Sequence, residues 1–97
     1  MFETAAEFAN IPGGDLVVAT YCTISDDGVE VQRIGGDGNV RWRIQVPGLG
    51  VAHSEYEQLV YLELRGTSLY VVSQGSGGHF IERLDLATGA HHAVLRS

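Results

Sequence analysis

Apolar and polar side chains alternate with period two along most of this chain, and the clearest instance is Val40 to Val46. Val40, Trp42, Ile44 and Val46 interleave with Arg41, Arg43 and Gln45, so the segment predicts a strand with one buried and one wetted face. Similar runs occur at Leu16–Ile24, Val29–Ile34, Leu59–Leu64, Leu69–Gln74, Phe80–Leu86 and His91–Arg96. Together they predict about seven strands. Between them lie turn-forming clusters: Ser25-Asp26-Asp27-Gly28, Gly35-Gly36-Asp37-Gly38-Asn39, Arg65-Gly66-Thr67-Ser68, Gly75-Ser76-Gly77-Gly78 and Ala87-Thr88-Gly89. Glycine, aspartate and asparagine reverse a chain at low cost, because they tolerate positive φ or bond their own backbone. Pro47-Gly48-Leu49-Gly50 ends the Val40–Val46 run, proline having no N–H to give a ladder.

The pattern is stated twice. Leu16-Val17-Val18-Ala19-Thr20, Gln32-Arg33-Ile34 and Asp37-Gly38 leading into Val40-Arg41-Trp42 are answered by Leu69-Tyr70-Val71-Val72-Ser73, Glu82-Arg83-Leu84 and Thr88-Gly89 leading into His91-His92-Ala93. This predicts an all-β single domain over residues 1–97, with repeat-like units at 15–47 and 58–96 joined through Val51–Glu57. Each unit is an antiparallel meander whose apolar face needs a neighbour to cover it. The two blade-like sheets are the leading expectation, with a β-sandwich or flattened barrel as the alternative. At the N-terminus, Phe2, Ala5, Ala6 and Ala9 or Phe8 fall at roughly helical spacing. A short helix ended by Ile11-Pro12-Gly13-Gly14 is expected there, with a first strand as the competing assignment.

Composition narrows the class without naming a function. The chain has 97 residues, is 44% hydrophobic and 19% charged, and nowhere offers the roughly 18 consecutive apolar residues of a membrane helix. Twelve acidic against six basic side chains give a net charge of −6, and the arginines are scattered. This excludes the clustered cations by which a protein releases counterions from nucleic acid. Cys22 is the single cysteine, so no intrachain disulfide and no cysteine cage can form. With Glu3 and Glu7 in a first segment that has neither a basic start nor an apolar run, a secretory signal is not expected and the cytoplasm is the expected compartment.

Arg83-Leu84-Asp85-Leu86-Ala87-Thr88-Gly89 resembles the Leu-Asp-x-x-Thr-Gly turn of pyrroloquinoline-quinone-type propeller blades, and Gly38-Asn39-Val40-Arg41-Trp42 resembles the Gly-x-x-x-Trp that follows it there. The resemblance implies four-stranded antiparallel blades with this turn between the third and fourth strands. Two departures stand beside it. Propellers close with roughly four to eight blades, whereas this chain supplies at most two. The signature is also divided, the first copy holding the tryptophan and the second the Asp-x-x-Thr-Gly.

Candidate chemistry is sparse. His53, His79, His91 and His92 do not present a ligand set, since neighbours on a strand such as His91 and His92 point to opposite faces; no metal is expected. Asp26, Asp27, Asp37 and Asp85 lack the spacing of a calcium loop and read as turn formers. Cys22 or Ser54 with His53 or His79 has no surrounding nucleophile signature. The glycine-rich segments run from strand to strand, unlike phosphate cradles, which open helices. Trp42, Tyr61, Tyr70 and Phe80 read as packing groups.

The expectation is therefore a non-enzymatic binding or assembly module without cofactor that self-associates or meets a protein partner, and binds neither nucleic acid nor membrane. Leu59, Tyr61, Leu69, Tyr70 and Val72 form the candidate interface. Two alternatives accompany it: an acidic inhibitory or immunity-type partner of a basic protein, and a ligand-binding fragment of a propeller protein.

Overall fold

A computed structural model describes residues 4–22, 28–47, 60–75 and 78–96. Its described strands are β1 (Thr4–Asn10), β2 (Leu16–Cys22), β3 (Val29–Ile34), β4 (Val40–Val46), β5 (Val60–Arg65), β6 (Ser68–Gly75), β7 (Gly78–Asp85) and β8 (His91–Arg96). They form two antiparallel meanders, β1-β2-β3-β4 and β5-β6-β7-β8. The sheets do not close into a barrel, and no helix occurs among the described residues.

The N-terminal helix is thus replaced by β1. Its residues pair along β2 from Thr4↔Cys22 to Asn10↔Leu16. A helix of that length is marginal alone, whereas the open edge of β2 satisfies a full row of backbone groups. The alanines fit either periodicity, and Ala5 and Ala9 turn toward the core while Phe8 turns to solvent.

Both sheets contribute to one core. From the first come Val17, Ala19 and Tyr21 on β2, Val29 and Val31 on β3, and Val46 on β4, with Trp42 and Ile44 beside them. From the second come Val60, Leu69, Val71, Leu84 and Leu86, with Leu62 and Leu64. Alternate residues of β2, β3, β5, β6 and β7 enter this layer, as the period of two requires, whereas β8 adds no buried apolar residue and Val40, opposite Ile34 at the register shift between Arg33 and Ile34, stays out of it and is exposed. The strands β1 and β5 run close together across the joint. Each fully buried valine or leucine contributes about 1.5–3 kcal/mol relative to exposure.

The internal repeat is visible in the register. Leu16 pairs with Ile34 and Val17 with Arg33 in the first sheet, where Leu69 pairs with Leu84 and Tyr70 with Arg83 in the second. The β3–β4 reversal is closed by Gly35 N–H to the Asn39 carbonyl, and the β7–β8 reversal by Asp85 N–H to the Ala90 carbonyl. The units also begin alike, because β1 stands to β2 as β5 stands to β6.

The β7–β8 turn is held by Asp85. Its Oδ1 accepts the backbone N–H groups of Ala87 (2.8 Å) and Thr88 (3.1 Å), and Thr88 Oγ1 accepts that of Ala90 (3.2 Å). Asp85→Ala removes one acceptor from two N–H groups at an exposed turn and is expected to cost about 1 kcal/mol. Asp85→Asn keeps that oxygen and is expected to cost less. Urea midpoints of the two variants check this, and equal losses would show that the carboxamide oxygen does not replace the carboxylate.

Candidate interaction surface

Three features of the second sheet stand out: the turn that receives the first sheet, a buried carboxylate, and an apolar outer face. At the turn, Trp42 Nε1–H and Arg33 Nη1–H both donate to the Leu86 carbonyl at 2.8 Å, one to each lone pair. Arg33 is oriented from behind by Asp15, whose Oδ2 accepts its Nε–H at 2.8 Å. Gly89 lies under the indole with φ +78°. A Cβ there would stand 2.8 Å from Trp42 Cδ2. The turn therefore offers a carbonyl and a bare backbone patch, and the tryptophan fills both.

Glu82 on β7 is the buried carboxylate, its side chain 1% exposed. Arg96 on β8 grips it with Nε–H to Oε2 (2.8 Å) and Nη2–H to Oε1 (2.9 Å), while His91 Nδ1 lies 3.0 Å from Oε1. The Arg96 hydrogen bonds, seconded by His91, hold the Glu82 carboxyl below its ordinary value of 4.5, against the effect of burial. The Arg96 guanidinium is raised in turn by the same contact. Each carboxylate oxygen is engaged by a cation or imidazole, which is the arrangement of a satisfied structural ion pair.

The outer face of the second sheet is apolar in its middle. Tyr61 is opposite Val72, Val72 opposite Ile81, and Ile81 opposite Leu95, one row running across all four strands. Tyr61 is 42%, Leu95 43% and Val94 55% exposed. An open groove runs along this face, lined by Glu63, Arg65, Tyr70, Val72, Ile81 and Val94. Its charged rim is the Glu63–Arg65 pair, at 2.7 Å.

Of the residues expected at an interface, Tyr61, Tyr70 and Val72 share this face. Leu69 does not: it has no exposed surface and belongs to the core between the sheets, since adjacent residues of one strand cannot face the same way. Leu59 lies outside the described residues, as do His53, Ser54 and the Cys22 side chain. His79 and His92 are exposed, and His91 turns inward to Glu82. Among the described residues, no group of three or more His, Cys, Asp or Glu side chains is placed to hold a metal ion. Asp37 is a turn former, accepting Asn39 N–H at 3.0 Å, a bond that lowers its carboxyl below 3.8.

Sequence reasoning singled out neither Glu82 nor the meeting of Trp42 with Gly89. Among the described residues, no helix is long and apolar enough to cross a membrane. No protein-family model, no curated protein and no solved structure matches the chain.

Proposed function

We propose that this chain is a non-enzymatic assembly module of the cytoplasm that associates with copies of itself through the outer faces of its sheets. The carrying observation is the apolar row Tyr61–Val72–Ile81–Leu95, exposed at its two ends and half-buried between them, with exposed Val94 beside it on a small all-β unit. Large contiguous apolar patches are uncommon on surfaces that remain free, and a partner that covers this one gains hydrophobic burial at each residue. The Glu82 carboxylate supports a structural reading, because Arg96 and His91 close it off in hydrogen bonds.

Sedimentation of the purified chain over a wide concentration range tests this. The expected result is a mass that rises with concentration and is retained when salt is raised, as for apolar contact. A strictly monomeric particle at the highest concentration would sink the proposal. Dissociation by salt would instead indicate a charge-led encounter, the behaviour of an acidic partner of a basic protein.

A further inference from the structure

The joint between the two sheets joins unlike faces of like units. The strand registers make Leu16 the counterpart of Leu69, Val17 of Tyr70, Ala19 of Val72, Val31 of Ile81 and Arg33 of Arg83. In the first sheet Val17, Ala19, Val31 and Arg33 face the joint, yet their counterparts Tyr70, Val72, Ile81 and Arg83 lie on the outer face of the second sheet. Conversely, Leu69 and Leu84 face the joint from the second sheet, while Leu16 and Ile34 lie on the outer face of the first. The joint is therefore head-to-tail, and each end of the two-sheet unit presents the face that the other end is built to receive.

We infer that a second copy of this chain stacks on the first by repeating that joint, the outer face of its first sheet covering the outer face of the second sheet here. This rests on the assembly reading above and specifies its geometry. A heterologous contact of this kind propagates until rotation closes a ring, or else continues as a filament.

The free faces carry the parts the joint uses. On the second sheet, Arg83 is exposed and has no ion pair among the described residues, although its counterpart Arg33 donates to the Leu86 carbonyl across the joint. In the stacked copy the corresponding carbonyl is that of Gly36, in the β3–β4 turn. That turn contains Gly38, with φ +88° and nothing within 4 Å of where a Cβ would be; Gly89, with φ +78°, is the matching glycine that Trp42 covers. Gly38 is an uncovered positive-φ glycine in the corresponding turn, which is one residue shorter. On the first sheet, Phe8 is 62% exposed, while its counterpart Leu62 packs against the core. Leu95, exposed here, corresponds to Ile44, which is packed in the joint.

The test is a pair of complementary blocked variants, Phe8→Lys on the first sheet's free face and Leu95→Lys on the second's. Both positions are exposed, so folding should survive, and circular dichroism and melting confirm it. If either variant fails to fold, Val40→Lys and Tyr61→Lys replace them on the same two faces. The native chain is expected to assemble, each variant alone to be monomeric at the same concentration, and an equimolar mixture to form a dimer and nothing larger. Only unlike faces remain open in that mixture, one on each variant. If the native chain assembles but a single variant still dimerises with itself, like faces are pairing: the head-to-tail joint is overturned while the assembly reading stands. A native chain that never leaves the monomer overturns both.

Discussion

Replacing Trp42 with alanine is expected to lower stability by about 3 kcal/mol, the low end for a large aromatic residue because its ring is only partly buried. The loss combines apolar area, the hydrogen bond to Leu86 and the seat over Gly89. Gly89→Ala attacks the same contact from the other side. A left-handed conformation costs a residue with a Cβ about 1–2 kcal/mol. The added methyl meets the Trp42 ring at 2.8 Å, and overpacking of that kind costs about 1–3 kcal/mol more. The two variants are not expected to add. Once the indole is gone, Gly89→Ala has only its backbone strain to carry, so the double variant should be more stable than the sum of losses by about 1–3 kcal/mol. Chemical denaturation of the four proteins measures this. Strict additivity would mean that tryptophan and glycine do not meet.

This contact joins residues that the sequence places in different copies. The tryptophan stands in the first and the Asp85–Gly89 turn in the second, and they meet between the sheets. Reading each copy separately could only find half of it. The meander itself was legible because alternation at Val40–Val46 and the turn clusters are local signals, and the strand limits there agree with the structure. The first strand was not, since Ala5, Ala6 and Ala9 satisfy helix and strand alike and the deciding factor is the free edge of β2, a tertiary fact. Eight described strands stand where seven were expected for the same reason. The interface expectation treated Leu69 and Tyr70 as one surface, but the pleat divides them between core and groove. Glu82 gave no signal because its partners sit nine and fourteen residues away on β8, brought to it by a register that shifts between Ile81 and Glu82.

Arg96→Ala is expected to be the more costly change at neutral pH, since it strands a buried carboxylate with one imidazole for company. Glu82→Gln should cost less, about 1 kcal/mol, because the Arg96 guanidinium it releases is half-exposed and reaches water. The two differ most informatively in acid. Glu82 is held below its ordinary value of 4.5 when folded, first by Arg96 and then by His91. The unfolded chain therefore binds a proton at this carboxyl more readily than the folded one. The stabilisation is complete above about pH 4.5 and drains away as pH falls through the lower folded value. The native protein should lose stability steeply across that window, and Glu82→Gln, with no proton to take up, should follow a flatter curve. Arg96→Ala should flatten it too, because Glu82 then titrates nearer its unfolded value. Denaturant midpoints measured from neutral pH down to about pH 3 resolve the three curves. If native protein and Glu82→Gln run parallel throughout, the acid sensitivity of this fold lies in other carboxylates and the clasp on β8 adds nothing to it.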